Sequence, residues 1–342
     1  GELGAADSLV RDVERLRDRL SPVDRLMLVG WRARLAGDCA AALESSRRLV
    51  ALAPKSQFAV TLARDASCLN RSREAVVALR RLDPTEPWVA EWPDYWANLA
   101  YQLHQLGDYR EELSVALAAR RVRPELLRYL WLELQARAAL GEVENVRRGL
   151  DESLGLSSPR SVDQGVAWVP GMVMRNVALE LRAHGHRAAA RQAIARAITW
   201  YEANPSADPS GPEGVTQRLH RLWEAERWTE ASAVADSRLA ADTDVAEHHA
   251  TAGIIAAQRG DRSRAMREWT WLRERSTLPR RAEASYLSSH IAAVLGDRPG
   301  AVRLLADAYA LGWRHTYYDH LQASFETLVD YPAYRELMRP RE

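Results

Sequence analysis

The sequence predicts an all-α fold, a right-handed superhelical solenoid of about eight antiparallel helix-turn-helix units. Three observations predict it. Apolar residues recur at helical spacing along the whole chain, and the alternating β-branched runs expected of strands are missing. Short turns of one kind interrupt the helical stretches, at positions 37, 70, 107, 141, 185, 226, 260 and 296. Those turns lie 33 to 44 residues apart and most often near 34, the period of a helical-hairpin repeat.

The elements follow in order. Leu9, Val10, Val13, Leu16 and Leu20 make one apolar face, so residues 1–22 read as a leftover or capping helix. The opening Gly1-Glu2-Leu3-Gly4 has no basic stretch followed by an apolar one, so it does not read as a signal peptide. A helix that starts at once, with an apolar face needing cover, predicts a fragment of a longer polypeptide. Residues 23–313 carry the repeat. Glycine after a helix supplies the left-handed cap at Gly37, Gly107, Gly141, Gly185, Gly260 and Gly296, while Asn70 and Glu226 hold the two weaker turns. Asp38, Asp108, Asp261 and Asp297 follow the glycine, where a carboxylate caps the next helix.

Small residues precede the turn at Gly30, Ala63, Ala100, Ala178 and Gly253. Others follow it at Ala42, Ala75, Ala190, Ala231, Ala265 and Ala301, so two antiparallel helices can approach closely. Glu112 and Val146 replace the second small residue in two units. Pro54 and Pro124 mark where second helices end. The turn-rich segments near 156–171 and 204–214 read as irregular linkers. Residues 314–342 leave the period and read as a helical cap. Ser324–Leu328 is predicted to be a short capped helix, and Tyr334 and Leu337 belong to a final one.

These positions resemble the tetratricopeptide repeat. Leu106-Gly107-Asp108-Tyr109 with Pro124 matches its pattern best, followed by Gly30, Gly37, Asp38, Ala42 and Pro54. The resemblance covers about residues 23–313 and implies a concave groove that binds a protein segment. The last thirty residues are similar to the ends of bacterial repeat segments fused to serine/threonine kinases or transcriptional regulators. The resemblance therefore implies a protein-interaction scaffold in a larger bacterial signalling protein, with an upstream signalling domain. The alternative is a small-molecule-sensing domain controlling such a partner. The lysine, asparagine and arginine clamp that some of these repeats use for chaperone tails is not reproduced by Arg34, Arg64 and Asn176.

The composition narrows the function classes. Lys+Arg is 47 and Asp+Glu is 46, which lacks the basic surplus that nucleic acid or an anionic membrane needs. Mean hydropathy is −0.36 and no apolar run is long enough to span a membrane. Lys55 is the only lysine, and the arginines are spread through the chain, as codon bias in a GC-rich genome would leave them. The sequence carries no phosphate loop, dinucleotide fingerprint, nucleophile elbow or HExxH, so no enzyme and no cofactor is predicted. No metal is predicted either. A metal reading of His184 and His186 or of His248-His249 needs convergent ligands, and the first two flank a turn glycine and read as a solvated cap. Cys39 and Cys68 fall on antiparallel neighbours that could bring the thiols within disulfide reach, and burial favours free thiols over the disulfide alternative. Few cysteines and no signal peptide predict a cytoplasmic protein, or an extracytoplasmic one if a membrane span precedes it.

Twelve tryptophans stand against two phenylalanines. Trp96 and Trp269 fall on bulky core positions. Other aromatics fall on the first-helix face that would line the groove. Trp31, Arg34, Arg64, Tyr101, His104, Gln105, Trp131, Gln135, Arg175, Arg182, His220, Trp223, Tyr286 and His290 are the predicted partner-binding residues. Tryptophan, tyrosine and arginine are common interface anchors, and arginine can hold a partner's carboxylate.

Overall fold

The computed structural model describes residues 2–156, 168–207, 211–274 and 281–341. Among these the chain is helical, with no strand. Eight helix pairs follow a first helix, α1 (Glu2–Glu14). They are α2 (Pro22–Leu35) with α3 (Cys39–Leu52), α4 (Phe58–Cys68) with α5 (Ser72–Leu79), and, after a short α6 (Pro87–Ala90), α7 (Pro93–Leu106) with α8 (Tyr109–Val122). Next come α9 (Leu127–Ala139) with α10 (Val143–Ser153) and α11 (Pro170–Ala183) with α12 (Arg187–Ala203). The last three pairs are α13 (Gly211–Glu224) with α14 (Trp228–Ala241), α15 (Ala246–Gln258) with α16 (Arg262–Glu274), and α17 (Arg281–Val294) with α18 (Arg298–Ala310). A 3-10 turn at Ala323–Leu328 and α19 (Pro332–Met338) close the chain.

The turns explain the pairing. All eight turn positions lie in the left-handed region, and Asn70 (φ 56°) and Glu226 (φ 59°) adopt it without glycine. At each, the next residue donates its N–H to a carbonyl five residues back. Examples are Asp38 to Ala33 at 2.8 Å, Arg71 to Ala66 at 2.9 Å and Arg227 to Leu222 at 2.9 Å. This is the Schellman closure, which satisfies carbonyls that the helix end leaves open. Asp38, Asp261 and Asp297 then accept from the N–H three residues on, each at 2.9 Å. The small residues predicted at the crossings are buried in every pair where they occur. At Gly253 an added Cβ would lie 2.7 Å from Ile291 Cδ1 and 3.0 Å from Glu268 Cβ, so only glycine permits that approach.

The chain forms two compact units, comprising residues 1–122, 312–317 and 339–342 in the first and 123–311 with 318–338 in the second. In the first unit the C-terminal residues bind the early turns. His315 donates its N–H to the Cys68 carbonyl at 3.3 Å, and the Asn70 side-chain amide donates to the Arg339 carbonyl at 3.0 Å. Asparagine at this turn thus keeps the left-handed conformation and adds a contact that glycine lacks. Glu112 fills its small-residue position because His104 Nδ1 lies 2.9 Å from its carboxylate, both groups being buried.

Three expectations are corrected. Cys39 and Cys68 are half-buried and disulfide-bonded, with Cα atoms 6.0 Å apart, because antiparallel α3 and α4 bring them within bonding reach. Of the second linker, residues 211–214 belong to α13, whose first turn accommodates Pro212. Ala323–Leu328 is a 3-10 turn, and the Ser324 hydroxyl bonds His290 rather than capping it. The first linker falls mostly at 157–167, outside the described residues.

Candidate binding cleft in the second unit

A cavity of about 860 Å³ opens in the second unit between α11, the end of α12, α13 and residues 318–323. Helical periodicity builds two of its walls. On α11, Val173, Met174, Val177 and Leu181 are buried, which turns Met172, Arg175, Asn176 and Leu179 toward the cavity. On α13, Leu219 and Leu222 are buried, and Glu213, Gln217, His220 and Glu224 line the cavity. Gly171 lets α11 pack against the end of α12, since a Cβ there would meet Trp200 and Tyr201 ring carbons at 2.5 and 2.6 Å. Tyr318, Leu321 and Gln322 complete the wall from the far end of the sequence.

Arg175 and Glu224 form a charge pair in this cleft, and the Gln217 side-chain amide donates to Glu213 at 2.8 Å. Arg175 binds Glu224 with two parallel hydrogen bonds, Nε donating to Oε2 at 2.7 Å. Burial opposes the Arg175 charge, but the Glu224 carboxylate outweighs it and raises the guanidinium above its usual value. The Arg221 guanidinium lies 3.9 Å over the Tyr201 ring, a cation–π contact in a buried setting. Burial lowers His220, so this imidazole is neutral near pH 7. The cleft therefore offers neutral amides, aromatic faces and a charge pair already joined.

A smaller cavity of about 190 Å³ shares Leu179 and Glu224 with it. Here Glu326 receives Arg182 at 3.1 Å and Arg187 at 2.8 Å.

The predicted residues divide into three groups. Arg175, His220 and Trp223 line the larger cavity and Arg182 the smaller one, so these four converge. Trp31, Arg34, Arg64, Tyr101 and Gln105 belong to the first unit and are not buried. There Trp31 is exposed and Tyr101 and Gln105 are half-buried, while Arg34 binds Asp65 at 2.7 and 2.8 Å and Arg64 binds Asp94 at 2.6 Å. Arginines expected to hold a partner's carboxylate hold carboxylates of this chain.

The third group is corrected. His104, Trp131, Gln135, Tyr286 and His290 are buried and present no face to a partner. Trp131 packs beside Trp168, ring centroids 6.5 Å apart, because α9 is covered on both sides. Tyr286 and His290 lie beneath the C-terminal segment, against Asp319, Ser324 and Phe325.

Sequence reasoning missed Glu224, Tyr201 and the Tyr318–Gln322 wall. The 3.6-residue stripe on α13 could have found Glu224. Nothing local could have found the wall, which is supplied about a hundred residues later.

No protein-family model matches the chain, and no curated protein matches it. A solved structure similar to it is a tetratricopeptide repeat protein from Parabacteroides merdae ATCC 43184. That protein is 12% identical, the alignment covers 89% of this chain and 98% of the other, and the TM-score is 0.42. Among the described residues, no helix is long and apolar enough to cross a membrane.

Proposed function

We propose that the chain is a protein-interaction module and that its second unit binds an extended segment of a partner protein in the 860 Å³ cleft. One observation carries this reading: carboxamides and aromatic rings line one concave site. Asn176, Gln217 and Gln322 each offer a donor and an acceptor, the same complement that a peptide backbone presents. Trp223 offers a flat apolar face for a side chain. The Arg175–Glu224 pair satisfies its own charge, so the preferred segment carries little charge at its centre.

The test is selection of phage-displayed peptides on the full chain, followed by anisotropy titration against Trp223→Ala and Asn176→Ala variants of unchanged helicity. Enriched peptides should share a motif and lose about tenfold or more in affinity to each variant, about 1.4 kcal/mol. Peptides that bind wild type and both variants equally would refute the cleft.

A second reading, small-molecule sensing, is favoured by the cavity size, which lies in the range that encloses a drug-sized ligand. Failure to enrich any peptide, together with a melting-temperature rise in a metabolite screen, would select it. The C-terminal resemblance supports a place in a larger bacterial signalling polypeptide with an upstream domain. The Cys39–Cys68 bond supports an oxidising compartment over the cytoplasm.

A further inference from the structure

We propose that Glu180, His184 and His320, in the second unit, form a binding site for one divalent transition-metal ion of the zinc class. Glu180 and His184 are four residues apart on α11, so both project from the same face. His320 reaches them from the 3-10 turn at Tyr317–Leu321, 140 residues beyond Glu180. The Glu180 side chain is fully buried, and its Oε2 lies 3.3 Å from His320 Nε2 and 3.6 Å from His184 Nε2. The ligating atoms all fall within 4.8 Å of one another. The two imidazole rings meet at 61° with centroids 6.5 Å apart, so they converge rather than stack.

These distances have a simple geometric meaning. Donors about 2.0–2.2 Å from a tetrahedral zinc ion stand about 3.3–3.6 Å from each other. The separations from Glu180 Oε2 match that edge at both imidazoles. The chemistry selects the ion. Two imidazole nitrogens and one carboxylate suit zinc, cobalt or nickel, whereas magnesium and calcium favour oxygen ligands alone. Burial adds to the selection, because a dication compensates a water-excluded carboxylate within one bond length.

The same ion would join two walls of the cleft, since α11 carries Arg175 and Leu179 and residues 318–322 carry Tyr318, Leu321 and Gln322. The His184-Gly185-His186 motif thus contributes only its first histidine. His186 instead lies against Gly141, where an added Cβ would be 3.4 Å from its ring.

The experiment uses the full chain after dialysis against EDTA. Zinc affinity is read by competition with a chromophoric chelator, ligation by the visible spectrum of the cobalt complex, and coupling by the melting temperature with and without zinc. The expected result is one ion per chain, cobalt bands of a four- or five-coordinate nitrogen–oxygen site, and a higher melting temperature with zinc. His184→Ala, His320→Ala and Glu180→Gln should each weaken binding by more than about 100-fold, exceeding the loss usual for outer-shell changes. His186→Ala and His248→Ala should leave it unchanged.

Absence of stoichiometric binding by the wild type overturns the proposal and leaves a hydrogen-bonded Glu–His cluster. Binding that survives His184→Ala and His320→Ala also overturns it. Should a variant lose helicity, the wild-type cobalt spectrum decides: bands no stronger than those of hydrated cobalt reject the site. None of these readouts depends on the cleft accepting a peptide.

Discussion

His290 makes stability depend on pH in a way that can be calculated. Its ring sits on α17 beneath the C-terminal segment, stacked on Phe325 with centroids 4.2 Å apart and edge-on to Tyr286 at 4.7 Å. Nδ1 is hydrogen-bonded to the Ser324 hydroxyl at 2.5 Å. Burial disfavours the imidazolium and lowers the pKa from 6.5 to about 3. The folded chain therefore keeps His290 neutral where the unfolded chain protonates it. Between those two values the unfolded state binds the extra proton, so stability falls as pH falls. Between pH 7 and pH 5 this single group costs about 2 kcal/mol, rising toward about 5 kcal/mol below pH 3.

The His290→Asn variant can keep a hydrogen bond to Ser324 and does not titrate. Its absolute stability should fall through lost stacking, but the change between pH 7 and pH 5 isolates the proton. Urea unfolding followed by circular dichroism at both pH values gives that change for each protein. Carboxylates contribute equally to both and cancel. The wild type should lose about 2 kcal/mol more than His290→Asn on acidification. Equal losses within about 0.5 kcal/mol would show that the ring is hydrated or protonated in the folded state, refuting the reasoning.

Two further outcomes are expected. Glu226 holds φ 59° without glycine, and its carboxylate lies 3.8 Å from Arg182 in a long ion pair. Glu226→Gly should therefore stabilise by about 0.5–1 kcal/mol in urea unfolding, whereas Glu226→Val should destabilise. The Cys39–Cys68 bond closes a sequence separation of 29 residues, so Cys39→Ser should lower stability by about 3–4 kcal/mol by the loop-entropy estimate. Dithiothreitol should destabilise the wild type and not the variant, and intact-mass analysis after alkylation should find no free thiol before reduction.

Much of the fold was legible because a repeat writes the same physical requirement eight times. A helix that reverses into an antiparallel partner needs a left-handed residue at its end and small side chains at the crossing. Both requirements are local, so spacing alone located them. The signal persisted even where glycine was gone, since Asn70 and Glu226 still hold the turn.

The cleft was less legible. Arg175, Arg182, His220 and Trp223 were found because helical phase places them on first-helix faces. That same phase selected Trp131, Tyr286 and His290, which are buried. Phase says which side of a helix a residue occupies and not what covers that side. Trp131 is covered by its neighbours around α9, and Tyr286 and His290 by a segment outside the repeat.

The amino-acid sequence by itself determined the helices, their pairing, the turn at each reversal and the small residues at each crossing. These depend on interactions within about ten residues or between adjacent helices. Only the tertiary structure decided which faces stay open, which arginines are consumed by Glu224, Glu326 and Asp65, and where Glu180, His184 and His320 meet. Those outcomes depend on segments 31 to 144 residues apart arriving at one place, and side-chain packing there carries no periodicity that a linear reading can detect.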